Sequence, residues 1–253
     1  MLKKRVIPVL LLREGRMVKG VRFADYRDTG NPKTAVRIYS AQDADELIFI
    51  NIQESARSRQ ALVDVLREAS TECFMPLTAG GGIRSIEDVT TLLRSGADKV
   101  VVTTAAVTRP QLLKEIVERF GSQSLVAGID YRGEGKSSRV WIRSGAEETN
   151  LDPINHAINL VDLGAGEIFL NCIDRDGCME GYDLELGKKI ARAVSVPVIC
   201  CGGAGNFMHL FDLFNGTKVS AAACASIFHF GDNNPIRARS YLRNLGVPMR
   251  VLK

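Results

Sequence analysis

What this chain has little of narrows its chemistry first. It carries one tryptophan and five tyrosines in 253 residues, and aromatics make up only 6%. That leaves no platform for stacking bases, and a net charge of +4 spread along the chain gives no concentrated basic face. Nucleic acid is therefore not an expected partner. No apolar run approaches the roughly 18–20 residues that span a bilayer, and no small-residue cleavage pattern follows the opening MLKKRVI, so no membrane partner is expected either. The three histidines share no ligand-like spacing with any cysteine. The six cysteines (Cys73, Cys172, Cys178, Cys200, Cys201 and Cys224) form no CxxC pair. Four of them sit in or directly after apolar runs, as buried free thiols of a reducing compartment do. These absences predict a cytoplasmic protein with neither a disulfide framework nor a metal site.

What is present is one alternation, eight times. Short Val/Ile/Leu runs near 5–11, 46–51, 75–80, 99–103, 125–130, 167–171, 196–201 and 219–224 read as strands. Between them lie amphipathic stretches such as 58–70, 86–95, 110–120, 153–163 and 183–194. Near-continuous apolar strands, each followed by a helix, call for a parallel sheet covered by helices. Eight such units in about 250 residues predict a (β/α)₈ TIM barrel, one domain over 1–253 with half-barrels of about 1–120 and 121–253. Two segments exceed an ordinary βα loop. Residues 12–33, with Lys19 among them, fit a lid. Residues 131–150, with RVWIR at 139–143 as a possible hairpin, fit a lid or a tolerated surface insertion equally well.

The halves repeat in detail. ELIFIN at 46–51 and PLTAGGG at 76–82 return as EIFLNC at 167–172 and PVICCGG at 197–203. Glu46 and Glu167, Pro76 and Pro197, and Gly81 and Gly202 are each 121 residues apart. The opening strands, RVIPVLL at 5–11 and SLVAGID at 124–130, match up to their last residue. There the first half has Leu11 and the second has the carboxylate of Asp130. Barrel enzymes place their sites at these strand ends, so half of a possible carboxylate pair is kept.

Glycine runs at 80–82 and 202–205 each stand between a strand and a helix, where backbone N–H groups can approach an anion. One βα unit later come small or hydroxyl residues, Thr103 and Thr104 in one half and Ala225 and Ser226 in the other. Tight turns alone would explain one glycine. Two matched sets predict two phosphate cups, built around Gly81, Gly82, Thr103 and Thr104, and around Gly202, Gly203, Ala225 and Ser226, and hence a phosphorylated small molecule. The third loop, with Asp176 and Gly177, reads as a plain turn or as part of the site.

Arg5, Glu46, Lys99 and Glu167 each begin a strand. Side chains alternate along a strand, so these charges share the inward face with the strand-end residues, ~20 Å away at the barrel floor. On residue chemistry alone the ring reads as a salt-bridged plug, since buried charges are tolerated when paired.

GRMVKG at 15–20, RDTGNP at 27–32, GGGI at 80–83, ADKV at 97–100, TAAV at 104–107, FGSQ at 120–123, IDRDG at 173–177 and SIFHF at 226–230 together resemble the cyclase subunit of imidazole glycerol phosphate synthase, the barrel partner of a glutaminase in histidine biosynthesis. The resemblance implies that the four-charge ring is an entrance for ammonia rather than a plug. It also implies that Asp98 lies at the contact with the glutaminase, that the glycine cups hold the phosphates of a phosphoribosyl substrate, and that no cofactor is needed.

The same resemblance exposes departures. The family's catalytic pair is an aspartate at the end of the first strand and another at the end of the fifth. Asp130 matches the second, and Leu11 replaces the first. Asn51 replaces an aspartate, Thr103 an asparagine and Asn171 a threonine. Leucine exchanges no proton, so the chain is more similar to diverged cyclase paralogues of surface-polysaccharide pathways. Those pair with their own glutaminase and pass ammonia to an enzyme that amidates a sugar. The alternatives are a true histidine-pathway cyclase (a lyase) and, last, a stand-alone phosphosugar isomerase.

Overall fold

The computed structural model describes residues 3–250. Its first strand, β1 (Arg5–Arg13), runs on into an antiparallel ribbon of β2 (Arg16–Val21) and β3 (Ala24–Gly30). Then follow α1 (Pro32–Ala41), β4 (Leu47–Asn51), α2 (Ala56–Glu72), β5 (Leu77–Gly80), α3 (Ile86–Arg94), β6 (Lys99–Val102), α4 (Thr104–Thr108) and α5 (Gln111–Phe120). The second half holds β7 (Leu125–Arg132), β8 (Arg139–Ile142), β9 (Glu147–Glu148), α6 (Pro153–Asp162), β10 (Glu167–Cys172), α7 (Leu184–Ala193), β11 (Val198–Cys201), α8 (Phe207–Gly216), β12 (Ala221–Cys224), α9 (Ser226–His229) and α10 (Pro235–Asn244).

Eight strands pair in parallel in the order β10, β11, β12, β1, β4, β5, β6, β7, and the β7–β10 pairing closes the circle. This is the expected TIM barrel. Period-two alternation sorts its side chains into two cores. Ile7, Val9, Ile48, Val101, Val126, Phe169 and Ile199 fill the inside, while Val6, Leu10, Phe49, Leu125 and Leu170 face the helices. The helices start where the sequence caps them. Asn31, Asp152 and Asn234 each accept a backbone N–H ahead of a proline in the first turn, and Ser85 forms a capping box with Asp88.

Strand register makes the internal repeat explicit. Val9 pairs with Ile48 in the first half, and Gly128 pairs with Phe169 in the second. Two residues further on, Leu11 beside Ile50 corresponds to Asp130 beside Asn171. The two long segments also have defined structure. Residues 12–33 are mainly the β2–β3 ribbon, and in the expected hairpin at 139–143 residues Arg139–Ile142 form a strand, β8, antiparallel to β7.

Candidate functional site

At the barrel floor, four charges close into a square. Arg5 donates to Glu46 at 2.8 Å and to Glu167 at 2.6 Å. Lys99 lies 3.3 Å from Glu46 and donates to Glu167 at 2.8 Å. Each charge thus touches two of opposite sign, and Thr78 adds a hydroxyl donated to Glu46 at 2.7 Å. Burial pushes the Glu167 pKa upward, but Arg5 and Lys99 outweigh it and hold the carboxyl below its ordinary value. The ring stays partly open to solvent, with side-chain exposures of 23% for Arg5 and 19% for Lys99. Asp98, on the same floor, is exposed but occupied. Its carboxylate accepts the Leu77 N–H at 2.8 Å, tying the start of β5 to that of β6.

At the opposite end a cavity of about 670 Å³ opens among the strand ends. Gly81, Gly82, Thr103 and Thr104 line it together, on the side of β4–β6. Gly81 adopts φ +94°, and a β-carbon there would fall 1.9 Å from the Asn51 carbonyl oxygen. Gly202, at φ +91°, approaches the Cys172 carbonyl in the same way, with 2.5 Å to a β-carbon. The two turns are therefore equivalent in backbone conformation and in the carbonyl each must clear. The second set differs in exposure. Of its members only Ala225 borders the cavity, whereas Gly202, Gly203 and Ser226 lie outside the lining, as does Gly177 of the third loop. The Ser226 hydroxyl is buried without a hydrogen-bond partner, as is the Asn171 side-chain oxygen close to Gly202. Such orphaned polar atoms ordinarily find a water or a ligand.

Asp130 borders the cavity and is raised to about pKa 7, chiefly by burial and further by the charge of Asp176. The amide of Asn171, donating at 3.2 Å, opposes the rise. A carboxyl poised near neutrality can both take and give a proton. Leu11 lines the same cavity and offers no second group.

The ribbon reaches across the mouth. Lys19, 2% exposed, donates to the Asp176 carboxylate at 2.7 Å, and the Arg22 N–H donates to the Asp176 carbonyl at 2.8 Å. Asp176 is raised by burial against the pull of Lys19. Its carboxylate is thus engaged by the ribbon rather than free beside a phosphate cup. On the other side the Arg143 N–H donates to the Thr104 hydroxyl at 3.0 Å, so the hairpin segment packs onto the first cup.

Tyr26, Glu54, Arg84, Arg143 and Cys201 also line the cavity, and pattern reading passed over all five. Arg84 and Arg143 sit on the rim, paired with Glu54 and with Glu147. For Arg84 a usable signal existed, since it stands two residues after the last glycine of a turn. For Tyr26 the only signal is an aromatic amid a charged run. Among the described residues no cluster of His, Cys, Asp or Glu side chains is arranged to hold a metal, and no helix is long and apolar enough to cross a membrane.

The geometry is therefore a barrel whose floor carries a closed charge ring and whose mouth carries an acid at one of two equivalent strand ends, repeated glycine turns and a strap. Compared with known families, residues 5–234, from the ring arginine to the asparagine that caps the last helix, match the family described as histidine biosynthesis protein, and this chain belongs to it.

Proposed function

We propose that the chain is the barrel subunit of a glutamine-dependent amidotransferase complex, of the kind represented by the cyclase subunit of imidazole glycerol phosphate synthase. It receives ammonia from a class I glutaminase at the Arg5/Glu46/Lys99/Glu167 floor and passes it on for amidation of a sugar in surface-polysaccharide biosynthesis. A downstream sugar amidotransferase is then a further partner. One arrangement carries this reading: a part-exposed charge ring lies beneath a cavity in which only one of two equivalent strand ends, Asp130 and not Leu11, bears an acid. In this role the glycine turns hold a phosphorylated ligand by backbone N–H groups, Lys19 keeps the ribbon over the mouth, and Asp98 lies at the edge of the glutaminase contact.

Asp130 supports a second reading, the lyase of histidine biosynthesis. A carboxyl raised to about 7 is matched to proton transfer at neutral pH. Co-purification with glutaminases of the polysaccharide and histidine types separates the two. The first reading expects a 1:1 complex with the polysaccharide type. Binding to the histidine type alone moves the second reading ahead, and binding to neither removes the floor as an ammonia entrance.

A further inference from the structure

The ionisable side chains around the cavity are mostly committed to partners. Lys19 holds Asp176, Asp130 accepts from Asn171, and Arg84 and Arg143 are paired on the rim. The Cys201 thiol is held neutral by burial. Tyr26 differs. Its phenol lines the cavity and feels the charges of Asp176 and Asp130, yet hydrogen-bonds to neither.

Its placement is fixed by the ribbon. β2 rises directly from the strand end that lacks a carboxylate, with Leu11 paired to Val18. The β2–β3 register then slips between Lys19, opposite Arg27, and Val21, opposite Ala24, and the Tyr26 ring lies close to Gly20 at the slip. A β-carbon on Gly20 would fall 2.0 Å from the Ala24 carbonyl oxygen and 3.0 Å from the Tyr26 ring, so only glycine lets the ribbon turn and the aromatic pack this closely. The Gly20 carbonyl in turn accepts from Lys19 at 2.9 Å, and Lys19 is anchored to Asp176. The ring is thereby braced on a buried ion pair, with its hydroxyl left for whatever occupies the cavity.

We propose that Tyr26 is the specificity-determining side chain of this cavity: its hydroxyl donates a hydrogen bond to a carbonyl or hydroxyl oxygen of a phosphorylated sugar lying between Leu11 and Asp130. The inference rests on the phosphorylated ligand proposed above and names what recognises its sugar portion. Burial above all, and then the two nearby carboxylates, push the phenol up to about pKa 12, so it keeps its proton and acts as a donor throughout the neutral range. Asp130, on the far side of the same oxygen-bearing segment, accepts. Inorganic phosphate alone reaches the glycine turns without needing Tyr26.

Calorimetric titration with ribulose 5-phosphate and with inorganic phosphate, on the intact chain and on Tyr26→Phe, tests this. The intact chain should bind the sugar phosphate more tightly than phosphate. Tyr26→Phe should lose roughly two- to tenfold in affinity for ribulose 5-phosphate, the worth of one neutral hydrogen bond, while its affinity for phosphate is unchanged. An equal loss for both ligands would assign Tyr26 a purely structural role and overturn the inference. So would an undiminished affinity for ribulose 5-phosphate. If the intact chain binds neither ligand, the phosphorylated-ligand reading itself falls, and the role of Tyr26 with it.

Discussion

The two half-barrels share a backbone and differ in where they keep charge. In the first half, Arg5, Glu46 and Lys99 stand on the floor, and in the second the corresponding positions are Ser124, Glu167 and Ala221. Only the glutamate is common to both. At the mouth the imbalance reverses, because Leu11 and Ile50 of the first half face Asp130 and Asn171 of the second. Repetition thus preserves what the fold needs, the pairing register and the glycine turns, and releases the inward side chains to specialise. Two symmetric carboxylates can be bridged by one arginine and one lysine, so the floor needs cations from one half only.

Copying the second half into the first at the mouth tests this division most strongly. If Leu11 is what silences the cyclase reaction, the intact chain given the phosphoribosyl intermediate and ammonium salts should run at least ~10²-fold below an authentic cyclase. Leu11→Asp should raise that rate, though not fully, because Asn51, Thr103 and Asn171 share the pocket and groups acting together do not contribute additively. Turnover of the intact chain at ordinary cyclase rates would show the halves to be functionally equivalent after all.

Making the floor symmetric should cost stability instead. Lys99→Ala copies Ala221 and leaves Glu46 and Glu167 sharing Arg5 alone. Removing one partner of a largely buried pair destabilises by about 3 kcal/mol, which urea denaturation would register. Removing Glu167 as well should restore part of it. An unchanged midpoint would mean that solvent already screens the ring.

The smallest effect concerns Asp130. Its folded pKa of about 7 lies above that of an unfolded carboxyl, so between about pH 4 and 7 the folded state holds a proton that the unfolded chain has released. Stability therefore falls as pH rises through that window, and the cost is complete above 7. Solvent in the cavity screens part of it, leaving about 2 kcal/mol. Asp130→Asn should be more stable than the parent by about this amount at pH 8 and equal to it near pH 4. Parallel stability curves for the two proteins would contradict the buried-acid description.

Sequence carried the barrel and the floor well because both are written in local periodicity. A charge that opens a strand points inward whenever the fourth or sixth residue after it does. The ribbon was legible only as a long insertion, since β3 is exposed along most of its length and shows no alternation. Lys19 and Asp176 are 157 positions apart, and Arg239 and the buried Asp45 are 194 apart. Nothing local announces either pair. At the second glycine turn composition identifies the glycines and small residues, but it does not say that Ala225 alone of them borders the cavity.

The links across the halves have a consequence for chain connectivity. At the floor Arg5 and Lys99 grip Glu167, at the mouth Lys19 grips Asp176, and around the wall β6 bonds to β7 and β12 to β1. The peptide between α5 and β7 is thus one joint among many. Cut there, near Gly121, the two fragments would still find every other joint intact, and the barrel would persist as a two-chain assembly held shut at both rims.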